Sequence, residues 1–419
     1  MQQPLDTWTP EDQNTSRRDF VRFVLASPFA GYAGALALGA NHMAYGQERS
    51  IIDRAALAKN VFQFEETAKT LLDADTYHFI ADGSDDLKTV QANRDAFDQV
   101  QIRARRLIDV SNIDTRINLL GQEMETPILL CPCGAQQRVH PDGELATARA
   151  ASAKKHTMIC STMTSYSFRE ISDVSDGTLW FQLYAQPNRD VMKQLLKRAE
   201  DGGAEVVVLT VDGPTLGNRE RIPSFSAPRR SGAPPLRMPG NFDGLEGGPR
   251  AGDASMTWSI IDWLRANTSM KVLLKGIVTW EDAAHCVENG VDGLIISNHG
   301  GRQEESLRGT LECLPEIVRQ VDGRIPILID GGFRRGTDIF KALALGATAI
   351  CIGRPYLWGL ASFGEDGVGK VLDILRAELV RILKYAGIRS LSEISPDRII
   401  SHLYKYPSSP AANPMEGPI

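Results

Sequence analysis

Eight short apolar segments, most of them separated by helix-patterned stretches, constrain this chain more than anything else in its sequence. They fall at 127–131, 157–161, 179–184, 205–210, 271–275, 293–297, 325–330 and 349–353. Short apolar runs bounded by turn residues are strand signals. Between them, 142–155, 189–201, 279–289, 311–321 and 337–345 carry apolar residues at helical spacing. A strand followed by a helix that returns the chain makes its neighbours parallel. Eight such units predict an α/β fold, the (β/α)8 TIM barrel. An open doubly wound sheet shares the alternation, but it has fewer strands and a glycine-rich first turn, which is missing here.

Barrels of this kind build their sites at the C-terminal ends of the strands, and chemically useful residues fall there. Gly134 and Gln136 follow the first strand, Ser161 ends the second, and Gln182 and Tyr184 end the third. Thr210 and Asp212 close the fourth, Lys275 the fifth, Asp330 the seventh, and Gly353 with Arg354 the eighth. The sixth strand runs into Ser297-Asn298-His299-Gly300-Gly301-Arg302-Gln303. A histidine titrates near neutrality and can accept a proton. The two glycines let the backbone double back, so that Arg302 can face the same cavity as His299. The planar fork of arginine binds both oxygens of a carboxylate. This loop therefore sketches a site that holds a small organic acid and deprotonates it.

Lys275 ends the apolar run Val272-Leu273-Leu274, where an unpartnered lysine is costly to bury. It is either half of a structural ion pair or a fixed cation that stabilises negative charge building on a cofactor ring. Asp330-Gly331-Gly332-Phe333-Arg334-Arg335-Gly336 and Gly353-Arg354-Pro355 together resemble a barrel phosphate site, with close-approaching glycine amides and neutralising arginines. The segment from Gly364 to Lys370 has the spacing of a Walker loop, but Val371 follows the lysine and no strand precedes it, so it is not read as one.

The rest of the chain frames this barrel. Residues 47–126 read as a helical extension and lead-in, with helical signal over 51–100 and a turn at Ala81-Asp82-Gly83-Ser84; the barrel is placed at 127–400 and a disordered tail at 401–419. The stretch from Arg219 to Trp258 is rich in Pro, Gly and Arg without periodicity, and reads as a mobile loop over the rim. A net charge of −6 and the lack of a sustained Lys/Arg run argue against a nucleic-acid partner. The six cysteines lack metal spacing and read mainly as buried thiols, so no metal site is expected. At the N-terminus, Ser16-Arg17-Arg18-Asp19-Phe20 leads into an uncharged Ala/Gly-rich stretch and the triplet Ala44-Tyr45-Gly46. That pattern resembles a twin-arginine export signal over 1–46, which implies a periplasmic or exported protein; an uncleaved membrane anchor is the alternative.

From about Phe64 to Ile399 the chain resembles the FMN-dependent 2-hydroxy-acid oxidase/dehydrogenase family, which includes glycolate oxidase, lactate oxidase and mandelate dehydrogenase. The resemblance rests on the Ser297–Gln303 loop and on Asn93-Arg94-Asp95-Ala96-Phe97, His140-Pro141-Asp142-Gly143-Glu144, Phe181-Gln182-Leu183-Tyr184, Leu209-Thr210-Val211-Asp212, Leu274-Lys275-Gly276 and Asp330–Arg335, in the family's order. It implies that His299 is the base and Asp212 its orienting partner. Arg302 and Arg219 would hold the substrate carboxylate, and Tyr184 would bond the substrate oxygens. Lys275 would lie beside the pyrimidine end of FMN, with Gly134, Ser161, Gln182, Thr210 and Ser297 around the flavin. Asp330, Gly332, Arg334, Gly353 and Arg354 would bind the ribityl phosphate. The implied reaction removes the substrate's proton and passes its α-hydrogen with two electrons to the flavin, giving a 2-oxo acid.

Three positions depart from or tune that pattern. Phe79 stands where the family has a substrate-binding tyrosine, and Met163 where glycolate oxidase has a pocket-lining tryptophan. Both make the pocket more apolar or more pliable, so a bulkier acid than glycolate is expected. Gly134 stands where oxidases of this type tend to have alanine, which favours a dehydrogenase with a quinone or cytochrome acceptor. A hydrogen-peroxide-producing oxidase using O2, or another FMN-barrel enzyme, is the alternative. The resemblance also implies a homo-oligomer, a tetramer.

Overall fold

The computed structural model describes residues 49–220, 239–246, 248–249 and 252–403. The twin-arginine-like leader, the centre of the rim loop and the chain from 404 onward lie outside the described residues.

An N-terminal extension precedes the barrel. The helical signal over 51–100 resolves into α1 (Phe62–Leu71), α2 (Ala74–Ala81) and α3 (Lys88–Asp98) rather than one continuous stretch. Asp73 starts α2 as its cap, accepting from the Thr76 amide at 2.9 Å. At the far end of this segment Val100–Ile102 forms a strand that pairs antiparallel with Ile399–Ser401. The expected boundary of a tail at 401 is therefore too early, because Ser401 has a partner strand and the described chain continues to Leu403.

All eight predicted strands form: β1 (Ile128–Leu130), β2 (Met158–Ser161), β3 (Leu179–Tyr184), β4 (Val206–Thr210), β5 (Lys271–Ile277), β6 (Gly293–Ile296), β7 (Ile327–Ile329) and β8 (Ala349–Ile352). They close into one barrel in chain order, every pairing parallel. Each is followed by a helix: α4 (Gly143–Ala153), α5 (Phe168–Ser172), α6 (Arg189–Asp201), α7 (Ile260–Asn267), α8 (Trp280–Glu288), α9 (Thr310–Val321), α10 (Gly336–Ala344) and α11 (Arg354–Ala386). β6, β7 and β8 stop one residue short of the sequence reading at their C-terminal ends. The residues left over, Ser297, Asp330 and Gly353, step off the ladder onto the rim.

Side chains alternate between faces along a strand. One set of alternate residues, including Leu129, Ile159, Trp180, Val206, Val208, Leu273, Ile295 and Leu328, forms a buried apolar cluster. A hairpin of Ile117–Leu119 and Gln122–Met124 adds Leu119 and Met124 to it, and Gln122 Oε1 accepts from the Trp180 indole at 3.2 Å. The same alternation continued toward the C-terminal ends brings up Ser161, Gln182, Thr210, Lys275, Ser297 and Asp330, all buried and all polar. The rim loop is also more ordered at its end than its composition suggests. Gly240–Phe242 makes a 3-10 turn, and the buried Asn241 amide donates to the Ser161 and Thr162 carbonyls and to Thr164 Oγ1 at 2.8–3.3 Å.

Candidate active site

The loop after β6 is held in an unusual shape. His299, Gly300 and Gly301 have φ of 56°, 67° and 75°, three successive left-handed residues. The sequence places this conformation on the glycines alone, yet the histidine adopts it too, at a cost of roughly 1–2 kcal/mol for a residue with a Cβ. Its surroundings impose it. Ser297 Oγ accepts from the His299 amide at 3.1 Å, and the side-chain amides of Asn298 and Asn93 exchange bonds at 2.9 and 3.0 Å. The Gly301 carbonyl accepts from the Ser84 amide at 2.8 Å. The N-terminal extension is thus the clamp of the catalytic loop, a role for Asn93 and Ser84 that no local sequence signal assigns.

So held, His299 presents Nδ1 to Asp212 Oδ1 at 3.1 Å, while Nε2 lies 3.3 Å from the Tyr184 hydroxyl. Asp212 is only 7% exposed. Burial holds the His299 imidazole below its ordinary pKa, against the opposing charge of Asp212. Burial would raise the Asp212 carboxyl, but its hydrogen bond with His299 and the Lys275 charge keep it below the usual range. The resting state is therefore a neutral imidazole that donates Nδ1–H to a carboxylate and keeps Nε2 as a free base. Burial, then the Asp212 charge, pushes the Tyr184 phenol up to about 12, so it stays a hydrogen-bond donor.

Two guanidiniums flank this base. Arg302 donates to the Asp82 carbonyl at 2.8 Å, and Arg219 donates to the Arg302 carbonyl and to Gln303 Oε1 at 3.2 and 3.1 Å. Burial, then the Arg219 and Arg354 charges, press the Arg302 pKa down; burial does the same to Arg219. Crowded cations of this sort are relieved by an anion, which is what a carboxylate site needs. Phe79 lies against the same group, its ring centre 5.4 Å from the Arg302 guanidinium carbon. The same ring meets a residue that the sequence reading left out: Arg138, with its guanidinium carbon 4.8 Å from the same centre. Met163, half-buried, meets Gly134 backbone to backbone. A Cβ at Gly134 would sit 2.6 Å from the Met163 carbonyl oxygen, so close packing alone already accounts for glycine there.

Beneath the base lies a buried ion pair. Lys275 Nζ donates to Ser297 Oγ at 2.7 Å and lies 3.1 Å from Asp330 Oδ2. Burial alone would lower the Lys275 pKa, but Asp330 and then Asp212 hold it above the ordinary lysine value. The resemblance assigns Asp330 to the phosphate; instead its carboxylate neutralises Lys275 and accepts from Ser297 Oγ at 3.0 Å. Like charge would repel a phosphate at that place. Its other oxygen, Oδ1, is buried and has no hydrogen-bond partner among the described residues, an acceptor that suits a ribityl hydroxyl. Gln182 links Ser161 Oγ (3.1 Å) to Thr210 Oγ1 (2.9 Å), a row of polar groups along three adjacent strand ends where a flavin ring would hydrogen-bond.

Arg334 is half-buried, and burial with the nearby Arg354 charge pushes its pKa down to about 10. Arg354 knits the extension to the catalytic loop through the carbonyls of Ile80, Gly300 and Asp82 at 2.9–3.1 Å. The glycine turn between them is pinned by Arg94, which bonds the Gly332 carbonyl and pairs with Asp338 at 2.7 Å; Asp338 in turn accepts from the Arg334 and Arg335 amides. Unlike Gly134, Gly353 has room: a Cβ there would meet nothing nearer than Cys133 Sγ at 3.7 Å. Two half-buried cations, an open glycine and an Asp330 oxygen with no partner among the described residues fit FMN.

The comparisons agree with this geometry. Residues 68–401 match the model of the FMN-dependent dehydrogenase family. A peroxisomal (S)-2-hydroxyacid oxidase of Arabidopsis thaliana is 44% identical over 354 residues, covering 81% of this chain and 96% of that protein. Glycolate oxidase 3 of Oryza sativa subsp. indica is 42% identical over 359 residues, covering 82% and 97%. Among solved structures, a soluble mutant of the membrane-associated (S)-mandelate dehydrogenase from Pseudomonas putida superposes with a TM-score of 0.77 at 36% identity, covering 82% of this chain and 99% of that one. Mandelate oxidase with (S)-2-phenylpropionate gives 0.75 at 36%, covering 83% and 99%. A closed barrel, a histidine–aspartate base and a flavin-shaped rim thus coincide with similarity along nearly the whole barrel, and the chain belongs to the FMN-dependent dehydrogenase family.

Proposed function

We propose that this enzyme oxidises an L-2-hydroxy acid to the corresponding 2-oxo acid. The observation that carries the reading is the placement of His299 Nε2, backed by Asp212, 3.3 Å from the Tyr184 hydroxyl and flanked by Arg302 and Arg219. The arginines take the substrate carboxylate in bidentate fashion and fix the adjacent carbinol carbon. Tyr184 donates to a substrate oxygen. Nε2 accepts the hydroxyl proton, and Asp212 stabilises the imidazolium that results. When bound, FMN supplies the acceptor for the α-hydrogen and its two electrons. Lys275 lies where a fixed positive charge offsets the negative charge that develops on reduction. Atoms balance: one proton rests on His299, one hydrogen and two electrons leave the carbinol carbon, and a carbonyl remains.

For the second half of the cycle we propose a quinone or cytochrome acceptor, in keeping with the export-type leader, and with that a periplasmic or exported location. The names of the plant relatives favour O2 as the acceptor, with release of hydrogen peroxide. We further propose a homotetramer. The experiment that tests the reading is anaerobic mixing of FMN-loaded protein with a panel of 2-hydroxy acids, followed by the visible flavin absorbance. Bleaching by one enantiomer of at least one acid is expected; no bleaching by any member, with FMN retained, rejects the reading. Admitting oxygen after bleaching separates the acceptors: slow recovery, accelerated by a quinone, supports the dehydrogenase, and rapid recovery with peroxide supports the oxidase.

A further inference from the structure

The Phe79 ring carries two guanidiniums, only one of which the reaction uses. Arg302 belongs to the carboxylate site. Arg138 reaches the same ring from a different element, the 3-10 turn Gln136–Arg138 after β1. That turn is rigidly built. Buried Glu144 accepts from the Gln136 amide at 2.9 Å, the Gln136 side chain donates to the Cys133 carbonyl at 2.9 Å, and Thr147 Oγ1 donates to Gln136 Oε1 at 2.6 Å. Just ahead of it, the Ala135 amide bonds the Met163 carbonyl at 2.9 Å, so Met163, Phe79 and Arg138 belong to one continuous wall. Phe79 has no hydroxyl with which to bond a substrate oxygen; what it offers is a π face, to which guanidiniums are attracted. With the hydroxyl gone and the guanidiniums kept on the ring, the wall offers a substrate charge rather than a neutral polar contact. It adds a second positive group on the ring that Arg302 also meets.

We propose that Arg138, docked on Phe79, recognises a second anionic group, so that the preferred substrates are 2-hydroxy dicarboxylates. The inference rests on the reading of this site as a 2-hydroxy-acid oxidation site. The proximal carboxylate lies on Arg302 and Arg219, the hydroxyl faces His299 Nε2, and the distal carboxylate meets Arg138 in a charge-assisted pair. Phe79 and Met163 enclose the carbons between. An acid with an uncharged end leaves Arg138 without that pair and binds less tightly.

The test uses FMN-loaded full-length protein and matched acids that differ only in the distal group: 2-hydroxyglutarate against 2-hydroxyvalerate, and malate against 2-hydroxybutyrate. The half-saturating concentration for anaerobic flavin reduction is measured for each. In parallel, equilibrium binding of 2-oxoglutarate and 2-oxovalerate is read from perturbation of the flavin spectrum, which needs no turnover. The diacid of each pair is expected to half-saturate at a concentration at least about tenfold lower, equivalent to about 1.4 kcal/mol. Arg138→Met should bring the ratio close to one, and Arg138→Lys, which keeps the charge but not the fork, should leave an intermediate ratio. Equal or better use of the monoacids by the native protein, or a diacid preference that survives Arg138→Met, overturns the proposal. If neither diacid nor monoacid reduces the flavin, the hydroxy-acid reading itself fails; the oxo-acid binding ratio still decides whether Arg138 reads a second charge.

Discussion

At the N-terminal end of the barrel the inward residues Leu129, Ile159, Trp180, Val206 and Leu273 pack with the hairpin's Leu119 and Met124 into an apolar layer, the Trp180 indole donating to Gln122. Two residues further along the same strands, the inward positions become Ser161, Gln182, Lys275 and their neighbours, equally buried but bound into a hydrogen-bonded and charged network. Burial of apolar surface stabilises the first end. At the second, burial costs free energy that each ion pair and hydrogen bond only partly offsets. One strand therefore serves two purposes, and the boundary between them lies within two residues. The polar end tolerates its cost because it sets the chemistry: burial keeps His299 neutral and weighs on the arginines, while the charges of Asp330 and Asp212 keep Lys275 protonated against burial.

That contrast predicts different consequences for substitutions at the two ends. The largest effect is expected at the base. His299→Ala should slow substrate-dependent flavin reduction by roughly 10²–10⁴-fold while FMN remains bound, since a positioned general base contributes that much; stopped-flow reduction measures it. Next comes the buried pair. Lys275→Met leaves Asp330 charged and unpaired, with an expected loss of about 3–5 kcal/mol in denaturant unfolding together with loss of FMN. A Lys275→Met protein as stable as the native one would show that the rim pair carries no structural weight. At the apolar end, Leu119→Ala should cost about 2–5 kcal/mol in the same unfolding experiment and leave kcat/KM of the folded fraction unchanged. A drop in kcat/KM there would break the separation of the two ends. The smallest effect is expected for Tyr184→Phe, about 0.5–1.5 kcal/mol in transition-state binding for one lost hydrogen bond, read as a modest fall in kcat/KM.

The pH profile sharpens the same contrast. Catalysis needs neutral His299, and burial holds its pKa below the ordinary 6.5. The value of kcat/KM should thus persist as pH falls through 6.5 and decline only at lower pH, where the imidazole protonates. For stability, the unfolded chain binds this proton more tightly than the folded one, so acid favours unfolding through this group. A histidine as solvated as one in a peptide would instead show half of its activity lost near pH 6.5.

Much of this was legible before the structure. The apolar rhythm located all eight strands because each is buried on both sides and so reads as an uninterrupted run. The rim residues stood out because polar groups at the ends of such runs have no packing reason to be there. What stayed hidden depends on long-range contact. Nothing local marks Asn93 as the amide partner of Asn298, 205 residues away, or Arg94 as the pin of the Gly332 turn. Asp330 could be placed on the rim but not beside Lys275 rather than the arginines, because strand neighbours are set by barrel closure. Arg138 was invisible for the same reason: only the fold brings it to Phe79.

The central claim is that His299, oriented by Asp212, takes the substrate proton at a site where Arg302 and Arg219 hold the carboxylate. The most direct test is anaerobic stopped-flow reduction of FMN-loaded native protein and His299→Gln by the best acid in the panel, with FMN content and substrate binding measured on both. The account predicts that the variant keeps FMN and binds the acid but reduces its flavin at least about a hundredfold more slowly. Reduction at the native rate in His299→Gln would contradict it and move the base elsewhere in the rim.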